Sequence, residues 1–362
     1  MSKKSHYNNF NILRVTAALM VMAGHMSYIM GGLERPKLLG EEIQTIGVKI
    51  FFLIGGYLIT KSFLSDSNII RYSLKRILRI WPPLAVYTCF AAFILGPILS
   101  ELTVSEYFSN RNLWLYFKNL RFYVTYALPG VFTQNPYPNA INGSLWTLPV
   151  EVAMYIIVPI IITFSKKRKD GSLYTALLAT FTGLVCLIQI LHHLYFPSWR
   201  FVIYGTDIAQ AMELVPFYLI GMLYAVTPVK KYLNIEVAFI LVLFCSCMKF
   251  ETVGQLIMLY LVFPYIIFSI ALIEKPFFGN FMNRTEISYG IYLYGFFVQQ
   301  IIVYYFLKYL KDLPSFSICL LISLLVTTIL AYLSSIFIEK PSQKLCNYLT
   351  KKFVNFSVSK NL

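Results

Sequence analysis

The sequence predicts an all-α polytopic membrane protein with about ten transmembrane helices. Hydrophobic residues make up 58% of its 362 residues and charged residues only 13%, and the mean hydropathy is +0.65. A spanning helix needs about 20 apolar residues, so ten helices would take roughly 200 residues and leave short connecting loops. This arithmetic excludes a receptor with a folded ectodomain.

The candidate spans are ten apolar stretches centred near residues 20, 54, 90, 156, 183, 218, 241, 262, 297 and 326. An even number of spans puts both termini on one side of the membrane. Twenty Lys and Arg residues fall on that side and nine on the other. The positive-inside rule therefore predicts that the N and C termini are cytoplasmic.

The division that we predict is a membrane domain over residues 1–345 and a basic cytoplasmic tail over residues 346–362. The polar start of the chain is not followed by a small-residue cleavage site, so the first apolar stretch is predicted to be a retained span. The multi-pass pattern and the charge bias together predict a multi-pass membrane protein whose termini face the cytoplasm.

Two segments are predicted not to span. Residues 69–81 mix apolar side chains with cations, among them Lys75, Arg76 and Arg79, and precede Pro82 and Pro83. We interpret this segment as a cytoplasmic helix lying in the membrane interface and ended by the prolines. Residues 101–142 form a long aromatic outer loop that could cover the external mouth of a site.

The formal charge of +15, from 31 Lys and Arg against 16 Asp and Glu, indicates topology and contact with anionic membrane lipids. A nucleic-acid partner is not expected, because no basic tract interleaved with aromatic residues is present. The six cysteines are scattered without metal-ligand spacing or a disulfide framework. We therefore predict no metal site and interpret the cysteines as packing residues.

Ionisable residues inside spans are costly and mark candidate functional sites. Arg14 and His25 lie in the first span, eleven residues apart, which at 100° per residue is only about 20° from the same helix face. Their separation along the axis is about 16 Å, so Arg14 lies near the cytoplasmic end and His25 in the outer half of the span. Snorkelling of Arg14 and a helix-to-helix hydrogen bond of His25 are the structural alternatives, and the shared face favours a functional pair.

Glu151 is the third candidate. Asn142, Gly143 and Ser144 read as a turn and cap, and Pro149 fits the early part of the helix that follows. Glu151 then lies about one turn inside the outer surface, at a depth similar to that of His25. A carboxylate facing an imidazole would suit a general base; the alternative is a charge favoured by the helix dipole.

Further charged residues near span ends are weaker candidates. Three cations of the 69–81 segment share the cytoplasmic edge, where a phosphorylated soluble donor would arrive or where lipid headgroups lie: Lys75, Arg76 and Arg79. Lys49 could snorkel or pair with Glu151. The remaining candidates are interfacial or without a named partner: His192, His193, Asp207 and Glu213.

Six blocks of the sequence follow one another in the order typical of a known family. They are Arg14 with His25, then residues 47–57, 75–82, 146–151, 288–294 and 338–341. Over nearly the whole chain they resemble the acyltransferase-3 family of bacterial integral-membrane O-acyltransferases. The chain resembles the members that consist of the membrane domain alone, without an extracytoplasmic esterase-like domain. The resemblance also implies a location in the bacterial cytoplasmic (inner) membrane.

The resemblance implies transfer of an acyl group, usually acetyl from acetyl-coenzyme A, to a hydroxyl of a cell-envelope saccharide such as an O-antigen, capsule or exopolysaccharide unit, or to a lipid-linked glycan. Acetyl-coenzyme A is expected as a co-substrate, and no tightly bound cofactor is expected. We expect Arg14, Arg76 and Arg79 to hold the nucleotide end of the donor. We expect His25 to act as the base or as a transient acyl carrier, with Glu151 orienting it.

Three positions depart from the family. It often has Asp where this chain has Lys49, Ser where it has Gly55, and His where it has Gly295. Two other functions compete with the acyltransferase. A glycan-lipid transporter or flippase predicts inverted repeats and interrupted helices, and no convincing halves are found. A membrane glycan polymerase predicts catalytic Arg or His in the outer loops, whereas residues 101–142 contain no His.

Overall fold

The computed structural model describes residues 9–166, 171–248, 251–273 and 286–359. These residues form fifteen α-helices: α1 Phe10–Met30, α2 Ile43–Ser65, α3 Ile69–Phe90, α4 Gly96–Leu99, α5 Val104–Ser109, α6 Arg111–Tyr116, α7 Thr147–Lys166, α8 Gly171–Tyr195, α9 Ile208–Met212, α10 Val215–Val226, α11 Ile235–Cys247, α12 Thr252–Ala271, α13 Ser288–Leu310, α14 Phe316–Ser334 and α15 Lys340–Ser359. Two short antiparallel hairpins pair β1 Lys37–Leu38 with β2 Glu41–Glu42 and β3 Val202–Ile203 with β4 Thr206–Asp207. The prediction of an all-α polytopic membrane protein is confirmed.

Nine helical segments within the described residues are long and apolar enough to cross a membrane: Phe10–Met30, Ile43–Ser65, Ile69–Leu99, Gly143–Thr163, Thr175–Tyr195, Ile208–Val226, Thr252–Ala271, Ser288–Leu310 and Phe316–Lys352. The stretch predicted near residue 241 forms α11, which has 13 residues. At 1.5 Å per residue it is about 20 Å long, shorter than the roughly 30 Å apolar core. Whether the number of crossings is even depends on α11, so the cytoplasmic location of both termini stays a prediction.

The prediction that Pro82 and Pro83 end a separate interfacial helix over residues 69–81 is wrong. α3 continues through Pro82 and Pro83, passes into a π-helical turn, Ala91–Leu95, and ends with α4 as one 31-residue apolar segment. A membrane helix tolerates proline where neighbouring helices and local π adjustments compensate the disturbed backbone. Here the hydroxyl of Tyr289 donates a 3.1 Å hydrogen bond to the carbonyl of Ile80, in the turn before the prolines.

The C-terminal part of the chain is also continuous. α14 passes through a second π-helical segment, Ser335–Glu339, into α15, which packs against α3. The boundary predicted between residues 345 and 346 falls inside α15, and the separate tail stays a prediction. Several cations of the charge count lie outside the described residues: Lys3, Lys4, residues 167–169, Lys249, Lys275, Arg284 and Lys360.

Small residues let the central helices approach closely. A Cβ atom on Gly56 of α2 would lie 2.0 Å from the carbonyl oxygen of Tyr218, and one on Gly221 of α10 would lie 2.2 Å from that of Leu53. Such contacts are typical of helix packing in membranes, where backbone proximity replaces the hydrophobic driving force. They fix α2 between α10 and α1, and α1 also packs against α13. The candidate site lies among these helices.

Candidate active site

Arg14, near the start of α1, lines a narrow cavity of about 80 Å³. We call it the arginine cavity and define it by the polar side chains that line it with Arg14, namely Arg79, Glu151, Tyr155 and Tyr289. Apolar side chains of α2, Phe51 and Phe52 among them, form the opposite wall. Polar groups thus line one side of a slender, mostly apolar space.

Two arginines of this cavity share one carboxylate. Arg14 Nη1 lies 2.6 Å from Glu286 Oε1. Arg79 donates hydrogen bonds to both carboxylate oxygens of Glu286, at 2.5 and 3.1 Å. Burial opposes the ionisation of Glu286, but the guanidinium groups of Arg79 and Arg14 outweigh it and lower the pKa of Glu286 to about 2. The cluster therefore keeps one net positive charge, and many of its N–H donors remain available to an anion.

Arg76 lies beside this cluster and is not part of it. Its guanidinium stands 5.7 Å from the ring of Tyr72 and 5.8 Å from that of Tyr155, and Nη2 lies 3.5 Å from Ser62 Oγ. Tyr155 also lines the arginine cavity. Lys75 points elsewhere and forms an ion pair of 3.3 Å with Asp66. Of the three predicted cations of α3, the structure brings only Arg79 together with Arg14.

Glu151 lies in the arginine cavity, where its Oε1 accepts a hydrogen bond from Tyr155. The predicted contact between Glu151 and His25 is wrong: His25 lines a different cavity. The depth argument placed both residues in the outer half of the membrane, but depth does not say which way each helix is rotated. On α7 the carboxylate faces α1 and α3 on the side of Arg14.

His25 lines the second cavity, of about 500 Å³. We call it the histidine cavity and define it by the polar and aromatic side chains that line it with His25: Tyr28, Glu42, Gln44, Tyr126, Tyr137 and Trp146. His25 Nδ1 lies 3.5 Å from Ser144 Oγ, and its ring meets Phe296 edge-on at 5.1 Å. A hydrogen bond to Ser144 through one ring nitrogen would leave the other facing a reactant.

The chain turn before α7 brings Ser144 to His25. Asn142 caps the turn by accepting a 3.0 Å bond from the backbone of Ser144, and its amide donates to the carbonyl of Leu293 at 2.8 Å. A Cβ atom on Gly143 would lie 2.6 Å from the ring of Phe296, so glycine is needed there. The predicted turn and cap at 142–144 is confirmed.

The long loop over residues 101–142 contributes to the histidine cavity, as its predicted covering role requires. Tyr126 and Tyr137 line the cavity, and the loop is pinned to α13 because Gln300 Nε2 donates 2.8 Å bonds to the carbonyls of Tyr137 and Ala140. Aromatic rings beside polar groups present apolar faces and hydrogen-bonding edges together.

Glu42 is the anionic group of the histidine cavity. Arg35 donates to it at 2.7 Å, Gln44 at 2.5 Å, and Tyr28 through its hydroxyl. Partial burial would raise the pKa of Glu42, but these donors lower it below the usual value. Glu42 therefore remains ionised at neutral pH.

The two cavities share a wall made by Val48 and Tyr292, which line both. The hydroxyl of Tyr292 lies 2.5 Å from Thr147 Oγ1 and donates a 2.9 Å bond to the carbonyl of Ser144. The wall therefore joins α2, α13 and the start of α7, directly between Arg14 and His25 on α1.

The weaker candidates have structural partners. Lys49 pairs with Glu41 at 2.8 Å and not with Glu151, so that suggestion is wrong. Asp207 caps α9 by accepting from Ala209 at 2.9 Å. His192 lies near the end of α8 with its ring edge-on to Trp199 at 6.0 Å, and His193 is exposed. Glu213 follows α9 and lines neither cavity.

The two glycine departures differ in their surroundings. Gly55 lines the arginine cavity, and a Cβ atom there would meet Tyr218 at 3.5 Å, an ordinary contact. Gly295 has no such space, because a Cβ atom would lie 2.8 Å from Met22 Cγ. A serine hydroxyl is thus sterically possible at position 55, whereas a larger side chain at 295 requires Met22 to move.

Sequence reasoning missed three residues that build the site: Glu286, Ser144 and Tyr292. One signal for Glu286 was available, because two arginines at membrane depth require a counter-charge and the chain has only 16 acidic residues. Ser144 stands in the predicted turn at 142–144 and Tyr292 in the block 288–294, yet nothing in their residue types marks them for His25 or for a shared wall.

Comparison with known proteins identifies those to which the chain is similar. The family model described as an acyltransferase domain, acyltransferase-3, matches residues 7–333. The chain is 28% identical over 301 residues to the O-acetyl transferase of Shigella phage Sf6, covering 82% of this chain and 86% of that protein. No solved structure matches the chain.

Two further relatives match in part. Nodulation protein 10 of Rhizobium leguminosarum bv. viciae is 29% identical over 182 residues, covering 48% of this chain and 49% of that protein. The peptidoglycan O-acetyltransferase OatA of Listeria monocytogenes is 29% identical over 222 residues, 56% of this chain and 32% of that protein. The chain spans most of the phage protein and half or less of these two.

Proposed function

The chain belongs to the acyltransferase-3 family, and from that premise we propose that it moves an acetyl group from acetyl-coenzyme A to a hydroxyl of a cell-envelope saccharide. Family membership makes it a membrane acyltransferase, so the transporter and polymerase alternatives fall away. We further propose that it works in the cytoplasmic membrane of a bacterium, with the arginine cavity facing the coenzyme.

One observation carries the proposal: the arginine cavity and the histidine cavity follow one another along the same face of α1 and share a wall. A transfer between a soluble charged donor and a saccharide acceptor needs a site for phosphate and a site for hydroxyl groups within one chain length of pantetheine. The roughly 16 Å between Arg14 and His25 suits that arm.

The donor enters the arginine cavity in this proposal. Arg14 and Arg79 keep a net positive charge beside Glu286, and guanidinium groups bind phosphate through paired N–H donors. Arg76 is placed outside the cavity, over Tyr155, where it can meet the nucleotide end before the arm threads inward. The carboxylate of Glu151 and the hydroxyl of Tyr289 then face the arm itself.

The acceptor occupies the histidine cavity. His25 takes the proton of an acceptor hydroxyl while the hydroxyl oxygen attacks the thioester carbonyl. The C–O ester bond forms, the C–S bond breaks, and the coenzyme thiolate leaves with the proton returned by His25. Ser144 is a positioning residue that holds Nδ1 of His25, and Glu42 with Gln44 would receive the other acceptor hydroxyls.

The names of two relatives support acetyl as the transferred group and a saccharide as the acceptor. The phage protein is an O-acetyl transferase, and the Listeria protein is a peptidoglycan O-acetyltransferase. We carry both features over to this chain as proposals, because the geometry favours a hydroxyl acceptor without distinguishing one saccharide from another.

Mass spectrometry of envelope glycans tests the proposal. Cells carrying the intact gene, a deletion, His25→Ala and, as a matched control, His193→Ala are compared at equal expression. We expect the mass of one acetyl group to disappear from a glycan in the deletion and in His25→Ala and to remain in His193→Ala. Retention in His25→Ala would contradict the mechanism alone, and an unchanged glycan in the deletion would contradict the function.

A further inference from the structure

The shared wall is where the two reactants have to meet. If the donor extends from the arginine cavity and the acceptor lies against His25, the thioester carbonyl must stand beside Val48 and Tyr292, the two side chains that line both cavities. The acyl group attached to that carbonyl then lies against the wall itself. The space at the wall therefore decides which acyl groups reach His25.

The wall is closely packed on every side. Val48 is 6% exposed and Tyr292 9%, and the ring of Phe51 meets that of Tyr292 edge-on at 5.7 Å. Leu148, at the start of α7, lines the arginine cavity beside them and is 4% exposed. Protein interiors of this density accommodate even one extra methylene only with strain.

The two residues of the wall, Val48 and Tyr292, differ in how freely their side chains can move. Tyr292 is fixed by hydroxyl contacts to Thr147 and to the carbonyl of Ser144, so turning its ring away would leave buried polar groups unpaired. Val48 has no polar tether, but its β-branched side chain is stiff on a helix. Only its methyl groups can be removed without disturbing a hydrogen bond.

We propose that Val48 and Tyr292 limit the length of the transferred acyl group, so that the enzyme accepts acetyl and rejects longer acyl chains. This inference rests on the proposed function and adds a specificity determinant to it. One additional methylene in an apolar pocket changes kcat/KM by about 10- to 200-fold. Propionyl-coenzyme A should accordingly fall at least about tenfold below acetyl-coenzyme A, and butyryl-coenzyme A further still.

The acyl-length series on the purified wild-type enzyme is the first test. Transfer from acetyl-, propionyl- and butyryl-coenzyme A to extracted envelope glycan is compared as kcat/KM. A steep fall with length supports the proposal, and equal rates overturn it while leaving the acyltransferase function intact. If no acyl group is transferred from any donor, both the acyl-length proposal and the proposed function are overturned. The two proposals therefore fail with different results.

The substitution Val48→Ala then tests whether the wall sets the limit on the length of the acyl group. It is expected to raise the ratio of butyryl to acetyl kcat/KM by about tenfold or more, because truncation removes volume beside the acyl group. Val158→Ala is the matched control, since Val158 is fully buried on α7 and lines neither cavity. The same rise in Val158→Ala, or an unchanged ratio in Val48→Ala, overturns the assignment, and the wild-type series remains decisive if either variant fails to fold.

Discussion

The arginine cavity and the histidine cavity are built on opposite principles. The first is narrow, about 80 Å³, and its charges are locked in a network of Arg14, Arg79 and Glu286. The second is wide, about 500 Å³, and a long loop supplies part of its polar and aromatic lining. Rigid helices suit a reactant that never changes, whereas loops tolerate variation and suit a reactant that differs between relatives.

The largest expected effect is a loss of donor binding at the arginine cavity. Arg79→Gln removes the net positive charge of the cluster and the guanidinium donors proposed to bind phosphate, and should raise the donor KM about 100-fold, with little change in the acceptor KM. Steady-state kinetics with each substrate varied in turn measures the split. Arg71→Gln is the matched control, because Arg71 lies on the same helix and pairs with Asp66 outside the cavity.

A charge-balanced variant separates binding from folding. Arg79→Gln leaves Glu286 with one partner instead of two, and Arg79→Gln combined with Glu286→Gln should recover part of the lost thermal stability without recovering the donor KM. A donor KM restored by the double substitution would show that Arg79 acts only through the ion pair, and a raised acceptor KM would reverse the assignment of the two cavities.

An effect of intermediate size tests whether Glu151 acts on the donor or on His25. Because Glu151 faces Arg14 and Tyr155, Glu151→Gln should lower kcat/KM for the donor about tenfold, the worth of one bond to a charged group. The acid limb of the kcat profile against pH should stay in place, since His25 has other neighbours. A shifted acid limb would instead mean that Glu151 moves against His25 during turnover.

The smallest effect concerns pH. The folded-state pKa of Glu286 is about 2, below its ordinary 4.5, so its ion pairs contribute fully above pH 4.5 and are lost as pH falls from 4.5 towards 2. The melting temperature of wild type should exceed that of Glu286→Gln by about 2 °C, unchanged from pH 8 to pH 5. A difference that disappears already near pH 6 would contradict the lowered pKa.

Local patterns of the sequence predicted part of each cavity. The angular arithmetic on one helix puts Arg14 and His25 on one face, and the structure places both against cavities. The turn and cap at 142–144 followed from residue types alone. Such features depend on one helix or one turn at a time, so the sequence contains all the information that they need.

Contacts between helices could not be predicted in the same way. Glu151 and His25 were expected at similar depth but line different cavities, because the rotation of α7 depends on its packing against neighbouring helices such as α2. The same limit explains why Pro82 and Pro83 predicted a helix end: a membrane helix continues through proline where its surroundings compensate the missing N–H donors, and those surroundings come from other parts of the chain. Glu286 acquires its importance only when α3 and α1 bring two arginines to it.

The thin wall of Val48 and Tyr292 has a consequence for the cell's energy supply. A continuous wet path between the cavities would let protons and other ions leak down their gradient, whereas a tightly packed apolar constriction stays dry and blocks them. The reaction as proposed asks only a small neutral acyl group to cross that constriction. An enzyme whose two cavities opened to opposite sides of the membrane could therefore transfer an acyl group across it while remaining electrically insulating.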